Sequence, residues 1–549
     1  MSPGGSHLVV GSGASAAMVA LTLARRSDAQ VTVLDIGGRL EPERSAALER
    51  LAAADESTWD PGDVAVISTR STVRRRGEVP QKRTYGSDYP FRNLGQTTGL
   101  HGEPADTNLD VVSSAYGGFT NVWGAQLMPF APSTFDRWPI SWTEMEQHYR
   151  AVLDEVPLAA EHDDLADRYP LLNPSSALPP LGPRAVAVLS RYEAHRAVLR
   201  QRGVTVGRAR LALRADGCTQ CGLCMTGCPR ALIYSAAQTM DAARRLPNVR
   251  YLDGLLVERI GQGGEQALAW CRDLRTGQRH EFRADRIFVG AGGLGTTRLV
   301  LGSMSDAPTT VEAAECRQFV LPFVSSRPVA DPRRPGARDF TLNQFNLLLD
   351  DDAEGRDTST VHCYPYNPAY IDALPAPLRR ESAAPLAAQV LRRLTVGFGY
   401  LPSWASPRIR VTTSRRATAR LPELHLSPSG DLRRPPMLRA ALRQLVIAAP
   451  RLDLWPVLTH VSLSGAGKSY HFGGTFPHRR TTTTGPGPGT DRWGRLVEWD
   501  RVHLIDGSVL PTMSSTTFTL TVMANAHRIA TEVLAGRATT RGQPRAEVA

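Results

Sequence analysis

Four of the seven cysteines lie in one short segment of the form Cys-x-x-Cys-x-x-Cys-x-x-x-Cys-Pro, with the thiols at Cys218, Cys221, Cys224 and Cys228. Bacterial ferredoxins use this spacing to surround iron with a loop. In ferredoxins with two clusters the fourth cysteine binds the other cluster, whereas this chain has no second set of cysteines. A [4Fe-4S] cluster is the leading interpretation, and a zinc ion and a metal-free turn are the alternatives.

Near the N-terminus, a glycine-rich turn separates a short apolar strand from a helix. The turn has the form Gly-x-Gly-x-x-Ala, and the second strand ends at Asp35. Glycines in this arrangement let the backbone and the helix N-terminus approach a pyrophosphate, and the terminal acid suits ribose hydroxyls. The pattern predicts a dinucleotide-binding site and is equally compatible with FAD and NAD. The predicted contacts are Gly11, Gly13, Ala14, Ser15, Ala16 and Asp35.

The hydrophobic period and the composition of the predicted elements around these motifs change along the chain. At 549 residues the chain exceeds the usual size of a single core, so we expect about two domains. Residues 45–84 lack a strong hydrophobic period and are expected to form connecting excursions, whereas helices are expected at 142–156 and 519–534. From about 305 to 460, proline and arginine are frequent and short β-like runs occur, which indicates a domain built around an antiparallel sheet.

The composition argues against several classes of partner and location. The net charge of +11 comes almost entirely from arginines spread along the chain without interleaved aromatic residues, so we expect no nucleic-acid binding. No uncharged apolar run is long enough to predict a membrane span. The chain begins without the pattern of a secretory signal, and clustered cysteines suit a reducing compartment, so we expect a cytoplasmic protein.

Further motifs, in the expected order, resemble those of the glucose–methanol–choline (GMC) oxidoreductases, a family of FAD-dependent enzymes. Residues 493–511 resemble the family's C-terminal flavin segment, and residues 469–475 resemble its His-x-x-Gly-Thr motif. Matching small-residue segments lie at 117–124 and 290–292. The resemblance covers most of the chain outside 305–460.

The resemblance implies an α/β fold (α+β overall). A discontinuous Rossmann-like FAD-binding domain would carry an inserted substrate domain built on an antiparallel sheet. The FAD-binding domain is predicted at 1–155, with excursions at 45–84, at 211–305, with the cysteine loop at 218–229, and at 461–540. The connecting segment is predicted at 156–210, the substrate domain at 306–460 and a disordered tail at 541–549.

The resemblance also implies where FAD lies. The isoalloxazine is expected near Gly118, Asn121 and His471, with the N-terminus of the last helix directed at it. Family members with covalent flavin have a histidine at the position of Val122, so we expect FAD to be bound non-covalently here. The implied cofactor contacts beyond the first turn are Gly117, Gly118, Asn121, Val257, Ala291, Gly292, Asp506, Gly507 and Thr519.

By the same resemblance, the catalytic base is His471. Removing an alcohol's proton during hydride transfer needs a base within hydrogen-bond reach whose pKa is near neutral, and histidine is the usual choice. The family usually has a second histidine or an asparagine just before the last helix, where this chain has Thr517, whose hydroxyl is predicted to hydrogen-bond the substrate. His478 and His527 are expected to be structural.

These features predict an FAD-dependent oxidoreductase that converts a CH–OH group to a carbonyl. The expected substrate is a sugar, an amino sugar or another polyol-like small molecule of secondary metabolism, and the electron acceptor is oxygen or another carrier. Two other classes remain open: an FAD-containing lyase of the GMC type, and a non-catalytic or electron-transfer flavoprotein with an iron–sulfur cluster.

Overall fold

The computed structural model describes residues 5–68, 83–92, 100–102, 111–330, 339–351, 357–365, 374, 376–414, 421–430, 435–465, 467, 469–480 and 487–538. The predicted disordered tail at 541–549 lies outside the described residues, and the predicted excursion at 45–84 lies partly outside them. Within these ranges, no helix combines the length and the apolar character that a membrane crossing requires.

The described residues form the following helices and strands. The helices are α1 (Ala14–Arg26), α2 (Pro42–Ala53), α3 (Pro61–Ser68), α4 (Trp142–Leu153), α5 (Pro183–Gln201), α6 (Ala236–Arg244), α7 (Gly293–Ser303), α8 (Ala384–Leu391), α9 (Pro436–Leu452) and α10 (Thr519–Leu534). The strands are β1 (Ser6–Val10), β2 (Gln30–Leu34), β3 (Leu100–Gly102), β4 (Val204–Arg208), β5 (Val249–Leu252), β6 (Leu255–Gly263), β7 (Gln266–Asp273), β8 (Arg279–Ala284), β9 (Arg286–Val289), β10 (Thr310–Glu315), β11 (Gln318–Val324), β12 (Phe345–Asp350), β13 (Thr358–Tyr364), β14 (Leu394–Tyr400), β15 (Arg408–Ser414), β16 (Glu423–Ser429), β17 (Trp455–Pro456), β18 (Ser462–Leu463), β19 (Phe472–Gly473) and β20 (Val502–Leu504).

A five-stranded parallel sheet with the order β20-β9-β1-β2-β5 draws its strands from both ends and the middle of the chain. Its strands are short and apolar because both faces are covered, by helices on one side and by β6–β8 with α7 on the other, which leaves no solvated side to favour alternation. On one face, Ala20 of α1 and Ile529 of α10 belong to the same buried cluster as Val9 and Val33 of the sheet. The strand order reverses at β1, and such a switch point leaves a crevice at the carboxyl ends of the strands.

A seven-stranded sheet with the order β17-β11-β14-β13-β12-β4, with β18 also paired to β11, forms a second layer. Side chains alternate between the two faces of a strand. On one face, Phe319 and Leu321 of β11 are buried in the same cluster as Leu445 of α9. The opposite face carries Asn346 and His362, which are directly opposite each other in the β12–β13 register. The polar face of this sheet therefore meets the rest of the protein, while its apolar face packs against helices.

Two smaller sheets connect these layers. One has the order β19-β10-β15-β16-β3 and the other, β6-β7-β8, is an antiparallel meander. The pairing of β10 with β19 places Glu315 opposite Phe472, next to the His-x-x-Gly-Thr segment. Gly473 must be a glycine here, since a Cβ atom would lie 2.1 Å from the carbonyl oxygen of Gly507.

The predicted fold class is confirmed, because a parallel α/β sheet assembled from separated segments is combined with an antiparallel sheet. The last helix has the predicted bounds, and α4 ends at Leu153, three residues before the predicted Val156. The segment expected to form connecting excursions from residue 45 contains α2 and α3 where the structure describes it. Helix α2 buries only Ala47 and Leu51, too few apolar positions to produce a strong period.

Candidate active site

A cleft opens at the carboxyl ends of the parallel strands, and the turn between β1 and α1 forms part of its wall. Gly11 has a φ of 96°, and a Cβ atom there would lie 2.6 Å from the carbonyl oxygen of Gly290. Gly13, the N-cap of α1, has an ordinary φ of −65°, and a Cβ atom there would meet no protein atom within 4 Å. The side of Gly13 on which a Cβ atom would lie therefore faces open space, and a ligand could approach the main chain closely there.

Asp35 lies in this cleft at the end of β2. Its carboxylate accepts hydrogen bonds from the Ser12 hydroxyl and, at 2.8 Å, from the Tyr251 hydroxyl. Burial raises the pKa of Asp35, and these hydrogen bonds act in the opposite direction. The acid is therefore held in one orientation at the edge of the cleft, where it can accept hydrogen bonds from a bound ligand.

The N-terminus of α10 borders the same cleft through Phe518 and Thr519. The helix starts without a side-chain cap and without an acidic residue in its first turn. Backbone N–H groups at such a terminus are unsatisfied within the helix and carry partial positive charge. This border of the cleft therefore favours a ligand that carries or gains negative charge.

Most of the predicted cofactor residues line this one cleft. Those that do so are Gly11, Gly13, Ala14, Ser15, Asp35, Gly118, Val257, Ala291, Gly292, Asp506, Gly507 and Thr519.

Three others, Ala16, Gly117 and Asn121, are not part of the lining. Ala16 is buried and packs against Gly290, where close approach needs a small side chain. The Asn121 amide donates to the carbonyl oxygens of Tyr116, at 2.9 Å, and Gly118, at 2.8 Å, so that its side chain closes the turn that carries Gly118.

The lining also contains Arg298 and Tyr470, which were not among the predicted cofactor contacts. Arg298 donates a hydrogen bond to the carbonyl oxygen of Pro422 at 2.6 Å, and burial lowers its pKa to about 10, so it stays cationic at neutral pH. An arginine one turn into α7 could have been predicted as an anion contact from the glycine turn that precedes it.

The imidazole of His471 lies among aromatic side chains. It stacks on Tyr400, with ring centroids 4.6 Å apart, and meets the edge of Phe518, a residue of the cleft lining, at 5.4 Å. Its Nδ1 atom is buried and has no hydrogen-bond partner. Burial lowers the pKa of His471 to about 4, so the ring is neutral at physiological pH and can accept a proton.

Glu315 holds the loop that orients His471. Its buried carboxylate accepts hydrogen bonds from the Gly467 N–H and the Ser469 hydroxyl, each at 2.9 Å. The Ser469 hydroxyl oxygen in turn accepts a hydrogen bond from the backbone N–H of His471 at 3.0 Å. Burial raises the pKa of Glu315 to about 7, against these hydrogen bonds. Tyr470, between Ser469 and His471, has a left-handed backbone conformation with a φ of 58°. Strain of this kind is found at functional sites.

The other predicted candidates are engaged with the protein. Thr517 donates its hydroxyl to the carbonyl oxygen of Gln126 at 2.8 Å. His478 has its Nδ1 atom 2.7 Å from the carbonyl oxygen of Asp491. His527 has its Nδ1 atom 2.9 Å from that of His148.

His362 is a functional candidate that the motifs did not reveal. It is 2% exposed, its Nε2 atom has no hydrogen-bond partner, and its ring lies 5.1 Å from that of Tyr400. Burial, and secondarily the charge on nearby His471, lowers the pKa of His362 to about 3. A signal was present in the sequence, because His362 is in period-2 register with the polar residues Thr358 and Thr360 of the same strand.

The four cysteines of the predicted metal loop are all partly buried. No three of their sulfurs lie within 4.8 Å of one another, whereas thiolates on a single zinc ion would be about 3.8 Å apart. Burial raises the pKa of Cys221 to about 12, the backbone N–H of Leu223 opposes this rise, and the nearby Cys224 and Cys228 thiols add to it. The thiols thus lie near one another at a spacing wider than one zinc ion requires.

The backbone of this loop is bent by residues with positive φ, including Gln220 at 57° and Gly222 at 78°. Neighbouring segments hold it, since the N–H of Asp339 donates to the carbonyl oxygen of Gln220 at 3.1 Å. The Tyr85 hydroxyl donates to the carbonyl oxygen of Cys228 at 3.0 Å. Adjacent Thr84 donates its hydroxyl to the carbonyl oxygen of Asn121, which links the loop to the turn beside the cleft.

Within the described ranges, the potential ligands of His101, Glu423 and His425 form the one group of three that lie within 4.8 Å of one another. The two imidazoles are stacked, with centroids 4.8 Å apart and an interplanar angle of 18°. Because ring lone pairs lie in the ring plane, stacked rings direct them along nearly parallel planes, which disfavours a shared ion. His101 is also close to Glu423, with Nε2 and Oε2 3.4 Å apart.

Comparison with known proteins gives a structural likeness. No protein-family model and no curated protein sequence matches the chain. The crystal structure of pyridoxine 4-oxidase from Mesorbium loti matches it with a TM-score of 0.57 at 15% sequence identity, covering 96% of this chain and 99% of that chain. The chain therefore shares its fold, over almost its whole length, with a known oxidase.

Proposed function

We propose that this protein is an FAD-dependent alcohol oxidoreductase of the GMC type, in which His471 is the general base. The observation that carries the proposal is a neutral imidazole with an unpartnered Nδ1 atom beside Phe518, at the border of a dinucleotide-type cleft. The fold shared with pyridoxine 4-oxidase and the GMC-like motifs support it. The proposed substrate is a sugar, an amino sugar or another polyol-like compound.

The residues of the cleft fit FAD. Gly13 leaves open space where a diphosphate could approach α1, and Asp35 can accept hydrogen bonds from ribose hydroxyls. Arg298 provides a cation in the lining, and the N-terminus of α10 favours the negative charge that a flavin gains on reduction. When bound, the flavin supplies the hydride-accepting group.

In the proposed reaction, the protein's own residues remove the proton of the substrate hydroxyl. One ring nitrogen of His471 takes the O–H proton of the substrate as the carbonyl forms, and the hydride from the C–H bond would go to the group that bound FAD supplies. Thr517 is a weaker candidate for contact with the substrate, since its hydroxyl proton is already donated to Gln126. Oxygen or another carrier would then reoxidise the flavin.

The purified protein should be yellow, and acid precipitation should release its FAD into the supernatant. The physical reason is that Val122 offers no nucleophilic atom where covalent family members have a histidine. Absorbance of the supernatant and the pellet measures the outcome. Flavin retained in the pellet would contradict non-covalent binding, and protein that never binds FAD would contradict the proposed function.

Reduction of the flavin under anaerobic conditions tests the reaction itself. Addition of a hydroxylated substrate should bleach the visible flavin absorbance, and a carbonyl product should appear in equal amount. A lyase would form product without bleaching, and an electron-transfer flavoprotein would be bleached only by a reductant. The test therefore separates the three classes.

We also propose that the cysteine loop binds a [4Fe-4S] cluster. The observation behind this proposal is the Cys-x-x-Cys-x-x-Cys-x-x-x-Cys-Pro spacing, which bacterial ferredoxins use to bind iron. Backbone N–H groups directed at the Cys218, Cys221 and Cys228 sulfurs support it as well, since such hydrogen bonds stabilise thiolates.

Protein prepared without oxygen should contain iron and acid-labile sulfide in similar amounts. Cys221→Ser should lose that iron and lower the melting temperature, because metal-binding energy is part of the folding energy at such a site. The control Cys271→Ser changes a buried cysteine outside the loop and should keep the iron. Anaerobic protein that is iron-free, folded and fully active would show that the loop is structural.

A further inference from the structure

Four buried polar side chains form a cluster on the inner face of the seven-stranded sheet. We call Gln126, Asn343, Asn346 and His362 the polar subsite. Asn343 and Asn346 are fully buried, and Gln126 and His362 are each 2% exposed. All four are uncharged at neutral pH, and none was indicated by a sequence motif.

The side chains of the polar subsite have more hydrogen-bonding atoms than the surrounding protein has partners for them. The Asn343 amide donates to the side-chain oxygens of Gln126, at 2.8 Å, and Asn346, at 2.7 Å. One polar atom on each of the four side chains has no protein partner: Gln126 Nε2, Asn343 Oδ1, Asn346 Nδ2 and His362 Nε2. Leaving such a group unpaired destabilises the folded state, so four together are unusual in a part of the fold that is only structural.

Two independent sets of contacts connect the polar subsite to His471. On one side, His362 and His471 both pack against the ring of Tyr400, with centroids 5.1 Å and 4.6 Å away. On the other side, Thr517 bonds the backbone of Gln126 and directly precedes Phe518, which contacts His471. Asn346 joins the first set because it is opposite His362 in the β12–β13 register.

We propose that the polar subsite binds hydroxyl groups of the substrate other than the one that is oxidised. A hydroxyl both donates and accepts, so it can pair with an amide N–H, an amide oxygen or an imidazole. A monohydric alcohol would leave most of the four atoms unpaired, whereas a ring with several hydroxyls could satisfy them together. The substrate class is therefore a polyhydroxylated ring compound. This inference rests on the proposed function, which supplies the reaction at His471.

The experiment compares the holoenzyme with Asn346→Leu, which keeps the size of the side chain and removes its amide. The matched control is Thr395→Val, which removes a buried, unpartnered hydroxyl from the opposite, apolar face of the same sheet. Anaerobic flavin reduction is measured with methyl α-D-glucopyranoside and glycerol as polyols and with 1-butanol as the monohydric alcohol. Melting temperatures are measured with and without the glucoside.

We expect the wild type to prefer the polyols, and Asn346→Leu to lower the ratio of polyol to butanol kcat/KM at least about tenfold, as loss of a buried hydrogen bond predicts. The melting temperature of Asn346→Leu without glucoside serves as a folding control, because the variant removes both an unpaired amide N–H and the oxygen that accepts a hydrogen bond from Asn343. Thr395→Val should leave the ratio unchanged. A wild type that prefers butanol, or an Asn346→Leu variant with an unchanged ratio, would overturn the proposal.

A different result would identify failure of the proposed function. If no alcohol reduces the wild-type flavin, the reaction assignment fails, and the melting temperatures still decide about the polar subsite. The glucoside should then raise the melting temperature of the wild type more than that of Asn346→Leu, since the general effect of sugars on stability is common to both. Equal shifts would mean that the cluster is a structural network.

Discussion

Replacing His471 by Ala should leave FAD bound and slow its reduction by substrate about 100-fold or more, which is the usual contribution of a positioned general base. The ring contacts Tyr400 and Phe518, and its removal leaves the cleft lining unchanged. Anaerobic stopped-flow absorbance measures the reduction rate, and the ratio of flavin to protein measures binding.

The pH dependence of the wild-type rate has a definite sign. Burial lowers the pKa of His471 to about 4, so the base is neutral at higher pH. The reduction rate should stay constant as the pH falls from neutrality and decline only as it approaches 4, where protonation removes the acceptor. A decline centred near the ordinary histidine pKa would show that burial does not lower the pKa of His471 in the FAD-bound protein.

Two variants serve as controls for His471→Ala. Thr517→Ala should have a milder effect, because it removes a hydrogen bond to the Gln126 carbonyl and no proton acceptor. His460→Ala should have none, since His460 is exposed and interacts with Thr459. If His471→Ala reduces the flavin at the wild-type rate, His471 has no part in the mechanism.

Gly13→Val should give a folded protein that does not retain FAD. Gly13 has a φ of −65° and open space at its Cβ position, so valine causes no backbone strain and no clash with the protein. The new side chain would instead occupy the space that the diphosphate needs at the N-terminus of α1. We expect the dissociation constant for FAD to rise at least about 100-fold, which corresponds to about 2.8 kcal/mol.

Flavin content after purification, FAD titration and the melting temperature of the FAD-free protein measure this result. The control is Gly261→Val, which places valine in β6, where a Cβ atom would come no closer than 3.5 Å to Trp270. That variant should stay yellow. Gly13→Val protein with wild-type flavin content would show that the cofactor does not pass this turn.

Local patterns sufficed for the first dinucleotide-binding unit. The spacing from Gly11 to Ala16 and the acid at Asp35 are properties of one continuous segment, whose strand, turn and helix form by contacts close in sequence. The bounds of α10 were predicted for the same reason, since its apolar period is uninterrupted. Helix α2 was missed because its buried positions are few.

Predictions at the level of single side chains were harder. Asn121 was placed at the cofactor, yet its amide closes the turn from Tyr116 to Gly118. The hydroxyl of Thr517 is donated to a backbone carbonyl that lies far away in sequence. Which of several possible partners a polar side chain takes depends on neighbours that only the folded chain brings together.

The sequence by itself determined the fold class and the presence of a dinucleotide-type turn, because strand and helix periods and glycine spacing are local properties. It also singled out His471, through a motif that resembles those of a known family. Only the tertiary structure decided that His362 lies beside Tyr400, which stacks on His471, and that Asn346 lies opposite His362 in the seven-stranded sheet. Their positions are more than a hundred residues from His471 in the sequence, and strand register and sheet packing, which depend on long-range contacts, set which side chains share a site.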